Sequence, residues 1–512
     1  MLKKAASILF HRITMTALLL VLQLALLILM MVRFSDYFVY FYWFCILLSV
    51  VAVLYIVSDY SDPGYKIAWI IPILIFPVFG GLVYLLLGGN RLTSGMRRRM
   101  QGVEQQMADA LAADCKADRL YPYGSDAVNQ SRYLEQYAHC PAYRNTEAVY
   151  FPLGDDVFPR MLEELRRAER YIFIEYFIIE PGVFWDSILA ILEEKARAGV
   201  DVRVIYDDIG SLFTLPKDYA AQLEKKGIRC CVFNRFVPVL SLRLNNRDHR
   251  KMCIIDGHTA FTGGINLADE YINRTVKYGH WKDSAILLRG EAVWSMTVTF
   301  LSTWDYIRGE KETLEGFRAE RLPALPRECG NYFAQPYVDS PLDNEPVGET
   351  VYLNLISKAR SYVYITTPYL IISDSVNTAL CNAAKSGVDV RIITPHVPDK
   401  RIIFEVTRAH YERLLEAGVR IYEYTPGFVH AKNFVVDDIY GTVGTVNMDY
   451  RSMFLHFENG VWLCGAPCLM DIKADFLATL EQCEAITLQR CRSHSSGRLL
   501  LRSVLRILAP LM

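Results

Sequence analysis

At 512 residues the chain exceeds one ordinary domain and has room for two or three. Its 55 basic and 56 acidic side chains leave a formal net charge of −1, which excludes recruitment to nucleic acid by a global basic field. The 52% apolar share is unevenly placed, because three long hydrophobic blocks fall between residues 13 and 88 while the rest reads as a soluble protein.

In chain order, residues 13–32 and 38–57 each have the roughly 20 apolar residues needed to cross a hydrocarbon core. Five residues join them, which predicts a tight helical hairpin. The first block is too long for a signal-peptide core and no A-x-A cleavage pattern follows it, so it is expected to be retained. The third block, 67–88, contains Pro72, Pro77, Gly80 and Gly81 and reads as a kinked span or a re-entrant helix. Lys3, Lys4 and Arg12 at the start, and Arg91 with Arg97, Arg98 and Arg99 at the exit, ask for the same cytoplasmic side. A hairpin plus a re-entrant third block satisfies both. Residues 1–90 are therefore expected to be a multi-pass anchor in the cell membrane, with the remainder of the chain on the cytoplasmic face.

Residues 91–145 read as a charged, mostly helical connector. Beyond it the sequence is written twice. "AERYIFIEYFII" followed by "EEKARAGVDVRVIY" in residues 168–206 has its counterpart from 359 onward in "ARSYVYITTPYLII" and "CNAAKSGVDVRIIT". The alternation of strand, amphipathic helix and strand predicts βαβ units with parallel strands in two halves, 146–315 and 346–490. A Pro-rich stretch, 316–345, reads as a linker between them. The tail, 491–512, carries Arg498, Arg502 and Arg506 at four-residue spacing against apolar neighbours, which suits either a basic interfacial helix or a helix docked on the domain. The twelve cysteines show no disulfide framework and read as buried thiols, and Cys464 and Cys468 lack a second pair for zinc.

Each half carries H-x-K-x4-D-x6-G-[GT]-x-N. The first copy is His249, Lys251, Asp256 and Asn266; the second is His430, Lys432, Asp437 and Asn447. On a strand, residues two apart face the same way, so each histidine and lysine project together from an apolar run. Asp256 and Asp437 lie past that run at turns, where they read as structural or supporting groups. Two histidines, two lysines and two asparagines brought to one place fit a phosphate diester. Lysines and amides bind its oxygens, one imidazole attacks phosphorus, and the other protonates the departing alcohol. This chemistry needs no metal and no cofactor. A nucleophilic imidazole must be neutral and oriented, which calls for a carboxylate on its other ring nitrogen, and Asp283 and Glu458 are the candidates downstream of the two motifs. Asn266 and Asn447 also suit helix caps.

The twin motif resembles that of the phospholipase D superfamily over the whole soluble part. The resemblance implies an α/β fold in which two phospholipase D-like halves share one active site, with the six motif residues His249, Lys251, Asp256, His430, Lys432 and Asp437 as the catalytic set. It implies that Glu458 supports His249 and Asp283 supports His430, and family habit makes the first histidine the attacking one. Within the superfamily, the hydrophobic N-terminus, "NNRDHRK", "GGINLADEY", "TTPYLI" and the closing "APLM" are similar to the bacterial cardiolipin synthases. That similarity implies transfer of a phosphatidyl group between two phosphatidylglycerol molecules at the membrane, with membrane phospholipids rather than nucleic acid as partners. A hydrolase, a transphosphatidylase using another alcohol, or a non-catalytic lipid-binding scaffold would carry much of the same sequence.

Smaller features have two readings each. Arg247 and Arg250 read as a solvated turn or as attraction for anionic headgroups. Glu175 reads as a strand-end hydrogen-bonding group ahead of a direct catalyst, and Tyr369 as packing or pocket lining, while Arg451 with Ser452 is read as an addition to the phosphate site.

Overall fold

The computed structural model describes residues 38–59, 62–77, 94–235, 246–343, 345–493 and 496–511, with isolated positions between 21 and 84. The chain divides into an N-terminal unit, residues 1–91 with 235–245, and a larger unit spanning 92–234 and 246–510.

In the N-terminal unit, the block expected as the second span is an α-helix over Phe38–Ser58, 21 residues long. Tyr40, Trp43, Leu47 and Leu54 stand exposed along it. A second helix, Pro63–Ile75, starts from Asp62, whose carboxylate accepts the Gly64 N–H at 2.7 Å, with Pro63 in the first turn where a missing N–H costs nothing. Ala52 and Ile56 of the first helix pack against Trp69 and Ile73 of the second. The third hydrophobic block thus holds a helix that ends at Phe76, close to the expected breakers. Most of the first expected span lies outside the described residues, as do the side chains of Arg91, Arg97, Arg98 and Arg99. Among the described residues no helix is long and apolar enough to cross a membrane, and Phe41, inside the 38–58 helix, has no described side chain.

The larger unit contains two sheets of matching plan. Strands β1 (Thr146–Phe151), β2 (Tyr171–Tyr176), β3 (Asp201–Asp207), β4 (Arg229–Phe233), β5 (Lys251–Ile255) and β6 (Thr259–Gly263) join β8 (Ala285–Gly290) in the order β1-β8-β6-β5-β2-β3-β4. Between β6 and β8 lies the short β7 (His280–Lys282). The second sheet uses β9 (Phe333–Asp339), β10 (Tyr362–Thr366), β12 (Asp389–Pro395), β13 (Arg420–Tyr424), β15 (Asn433–Val436), β16 (Tyr440–Gly444) and β18 (Glu458–Cys464). Their order, β13-β12-β10-β15-β16-β18-β9, repeats the first sheet strand for strand and adds β19 (Cys483–Ile486) at one edge.

Two expectations are corrected here. The βαβ pattern predicted parallel strands, and β2-β3-β4 and β10-β12-β13 are parallel, but the motif strands β5 and β15 enter antiparallel and make both sheets mixed. The Pro-rich linker is structured where it contains β9, an edge strand paired antiparallel with β18. Pro336 is tolerated there because an edge strand has one side without a ladder to serve.

Adjacent residues of β5 divide between two cores, as strand alternation requires. Cys253 and Ile255 pack outward on helices Gly154–Arg166, Val183–Arg197 and Tyr219–Lys225. Met252 and Ile254 face a core shared by the two halves, which also takes in Val435, Val461 and the buried helix Val293–Arg308. The tail helix Ser496–Leu508 docks on the domain: Arg498 and Arg502 donate to Glu405, and Leu505 and Ala509 pack near Val406. Leu501, Val504 and Ile507 remain exposed on it. The twelve cysteines are free thiols, most of them buried.

Candidate active site

Each motif histidine sits just before its core strand, on a segment that pairs with the other half. The strand-borne placement expected from the sequence holds for Lys251, the first residue of β5, but not for His249. The His249 N–H donates to the Phe457 carbonyl at 2.8 Å, and the Phe457 N–H donates to the Arg247 carbonyl at 2.8 Å. In the second copy, β14 (Gly427–Val429) runs parallel to β7, and the His430 N–H donates to the Lys282 carbonyl at 2.7 Å. This crossed pairing sets each histidine beside the carboxylate that follows the facing segment.

His249 Nδ1 lies 2.9 Å from both oxygens of Glu458, and His430 Nδ1 lies 2.7 Å from Asp283 Oδ2. Both pairs cross between halves and all four groups are buried. Thr445 Oγ1 also donates to Glu458, and the Ser284 N–H donates to Asp283 Oδ1 at 2.8 Å. With Nδ1 on a carboxylate, Nε2 is the nitrogen each imidazole can offer to a substrate, in His430 once Lys432 turns from it to the bound anion. Lys251 Nζ donates to the His249 carbonyl at 2.6 Å, while Lys432 Nζ lies 2.8 Å from Nδ1 and 3.1 Å from Nε2 of His430.

Burial and the lysines make both histidines hard to protonate. Burial, then Lys251, Lys432 and His430, hold His249 well below the usual imidazole range, and burial and Lys432 lower His430 to about 4 despite Asp283. The lysines are shifted in turn: burial lowers Lys251 to about 7 and Lys432 to about 8, against the attraction of Glu458 and Asp283. Burial alone would raise the Asp283 carboxyl, but Lys432 and His430 outweigh it and hold it low. Mutual influence of this kind places the two motifs in one electrostatic site.

Asp256 and Asp437 are elsewhere. The Asp256 carboxylate accepts the N–H groups of Glu169, Arg170 and Tyr171 at 2.8, 2.8 and 2.9 Å, at the end of β2 remote from the histidines. Asp437 does the same for Arg360, Ser361 and Tyr362 at 2.7, 2.8 and 2.8 Å. Both have positive φ, 53°, at the turn. Neither contacts a histidine or lysine of the motifs, so their place in a catalytic set is corrected to that of strand staples.

The two asparagines differ. Asn266 is engaged at both ends, accepting from the Ile178 N–H at 3.1 Å and donating to Tyr271 Oη at 2.7 Å. Asn447 has a buried Oδ1 without a partner among the described residues. Neither caps a helix among the described residues.

Arg247 and Arg250 are not solvated and do not face headgroups: they are 3% and 5% exposed, and they pair with Asp207 and with Glu175 and Asp248. Glu175 is fully buried, and burial holds its carboxyl above the ordinary range despite Arg250. Tyr369 donates to Asp399 at 2.6 Å. A cavity of about 140 Å³, lined in part by Glu104, Arg250, Asp339 and Asp343, contains none of the motif histidines or lysines.

Residues the motif does not name complete the site. The rings of Tyr271, Trp281 and Phe428 surround His430, and those of Phe177 and His456 lie beside His249. His456 was detectable in the sequence as the residue two before Glu458, matching Trp281 before Asp283. Among the described residues, His249, His456 and Glu458 offer ligand atoms within 4.8 Å of one another, a spacing that could hold a metal ion. Lys251 and Lys432 beside them supply positive charge that favours an anion instead.

The family model for the cardiolipin synthase PLD-like domain matches residues 161–287 and 352–480, one copy in each half, and the phospholipase D-nuclease N-terminal model matches 47–89. A protein of Streptococcus mutans without an assigned function is 42% identical over 90% of this chain and 99% of its own. Cardiolipin synthase 2 of Bacillus anthracis is 35% identical, covering 88% of this chain and 87% of its own. The chain belongs to the phospholipase D superfamily. Within the superfamily it is a cardiolipin synthase-like enzyme, also 30% identical to the cardiolipin synthase of Halalkalibacterium halodurans over 92% of this chain and 94% of that one. The phosphatidylserine synthase of Haemophilus influenzae shares the fold, with a TM-score of 0.56 at 14% identity over 75% of this chain and 100% of that one. The two matched copies meet where each motif histidine pairs with a carboxylate of the other half. The N-terminal match is consistent with membrane association.

Proposed function

We propose that the protein is a membrane-anchored phosphatidyltransferase that makes cardiolipin and glycerol from two phosphatidylglycerol molecules. The crossed pairing carries the reading: each histidine has its Nδ1 on a carboxylate of the other half, which leaves two Nε2 atoms for one phosphorus. One imidazole attacks the diester, and the P–O bond to the departing glycerol breaks as the other imidazole protonates that oxygen. The acceptor hydroxyl then returns its proton and takes the phosphatidyl group from the phosphohistidine. Lys251 and Lys432 bind the non-bridging oxygens, and the diester's negative charge in turn favours their protonated forms.

The anchor is the part of the proposal that favours transfer over hydrolysis. Helices over 38–58 and 63–75 with exposed apolar side chains hold the enzyme where acceptor lipid is concentrated and water is scarce. Incubating the full chain with labelled phosphatidylglycerol in lipid vesicles is expected to yield diphosphatidylglycerol and an equimolar amount of glycerol by mass spectrometry. Phosphatidic acid without diphosphatidylglycerol would sink the transfer reading in favour of a hydrolase.

A further inference from the structure

The two halves match in strand order but not in what surrounds their histidines. Trp281 and His456 occupy equivalent places, each two residues before the carboxylate that holds a histidine of the other half. Phe428 and Arg247 are likewise equivalent, each two residues before its motif histidine. Around His430 the centroids of Tyr271, Trp281 and Phe428 lie at 5.6, 5.8 and 5.9 Å, which makes an aromatic cage. Around His249 the imidazole of His456 stands at 5.5 Å in place of the tryptophan, and Arg247 is turned away to Asp207 and the Asn234 carbonyl.

The polar side is also unsatisfied. On the segment 447–456, Asn447 Oδ1, Ser452 Oγ and both ring nitrogens of His456 are buried without a hydrogen-bond partner among the described residues, and a carboxylate oxygen of Glu458 lies 3.7 Å from His456 Nδ1. Buried polar atoms are ordinarily paired, so a group of orphans on one segment beside a reactive histidine needs an explanation. In the equivalent segment of the first half Asn266 is engaged with Ile178 and Tyr271, and Trp281 Nε1 is the one such atom among the described residues.

We infer that Asn447, Ser452 and His456 form the subsite for the alcohol, a neutral polyol, on the His249 side of the phosphorus. The inference rests on the phosphatidyl-transfer reading above and deepens it. A neutral imidazole both donates and accepts, which suits adjacent hydroxyls, whereas Lys251 and Lys432 nearby repel an alcohol that carries an ammonium group. In-line displacement puts the alcohol opposite the attacking nitrogen, so the subsite also assigns the histidines. His430 Nε2 forms the P–N bond as the P–O bond to the alcohol breaks, and His249, which takes up a proton at Nε2 when the anionic diester binds beside it, gives that proton to the departing oxygen. In the return step the acceptor hydroxyl gives a proton to His249 Nε2, its oxygen forms the new P–O bond, and the P–N bond breaks. This order reverses the expectation that the first histidine attacks.

The assignment is tested with the full chain in mixed micelles and a phosphatidyl diester of p-nitrophenol, whose phenolate departs without a proton. His249→Ala, lacking only the acid, is expected to release a burst of nitrophenol and then stall, while His430→Ala releases none. A burst from His430→Ala alone, from both variants or from neither overturns the assignment; where an alanine variant fails to fold, the glutamine variants are read in the same way. The polyol pocket is tested by glycerol and ethanolamine competing as acceptors. His456→Phe is expected to lower the ratio of glycerol to ethanolamine product by about tenfold, with the ratio largely restored in His456→Gln. An unchanged ratio in His456→Phe overturns the pocket. Absence of diphosphatidylglycerol from wild-type reactions would refute the preceding proposal, and the burst and acceptor ratio would still be read independently of it.

Discussion

In the proposed reaction His430 can attack only while its ring is neutral, and the diester can be held only while the lysines are charged. These demands set two limits on the free enzyme. Burial and Lys432 hold His430 down to about 4, so the nucleophile stays available until the medium becomes strongly acidic. Burial lowers Lys251 to about 7 and Lys432 to about 8, so the charge that receives the phosphate is lost as pH rises through that range. The expected profile of kcat/KM against pH is a bell, with an acid limb near 4 and an alkaline limb between 7 and 8. A profile that keeps rising through the alkaline range would contradict the role of the lysines. The acid limb belongs to a buried imidazole, and replacing Asp283, which raises the His430 value, would move that limb to still lower pH.

At the scale of elements, the aspartate of each motif fixes where its half begins to fold into a sheet. Asp256 Oδ1 accepts from Arg170 and Tyr171 while Oδ2 accepts from Glu169, which staples the start of β2 to the turn after β5. Asp256→Asn keeps a residue that tolerates positive φ but turns an amide NH2 toward a backbone N–H, so a part-buried pair becomes a donor facing a donor. The expected cost is about 2 kcal/mol, read as a fall in the urea midpoint. Asp437→Asn is expected to cost less, because Asp437 is only half-buried where Asp256 is buried, so its partners Arg360 and Ser361 can turn to water. Equal stability of Asp256→Asn and the wild type would show that the staple carries no weight. The same scale explains the pairing of histidines with distant carboxylates: β14 lies parallel to β7, and Asp248 bridges to Phe457, so backbone ladders rather than side chains bring the halves together.

Across the whole molecule, duplication made much of the architecture legible in the sequence. "AGVDVRVIY" and "SGVDVRIIT" mark β3 and β12, and the repeated motif marks β5 with β6 and β15 with β16. The proposed phosphate chemistry rests on His249, Lys251, His430 and Lys432 because their spacing recurs, and the pairing of Asp283 and Glu458 with the histidines was legible from the need to orient an imidazole. What the sequence hid depended on contacts between distant segments. Arg247 and Arg250 look like a basic surface turn until Asp207, Glu175 and Asp248 are found buried against them. β9 was masked by prolines that only an edge strand accommodates. His456 is a single histidine outside the motif, and its meaning comes only from laying the two halves over one another, which sets it against Trp281.

The central claim is that two halves make a single reaction centre. Labelled donor lipid, mixed with the full chain and quenched under alkaline conditions that preserve a P–N bond, gives the number of phosphatidyl groups held per chain. The account predicts about one group per chain at saturation, on a single histidine peptide. Two groups per chain, one on each motif, would contradict it.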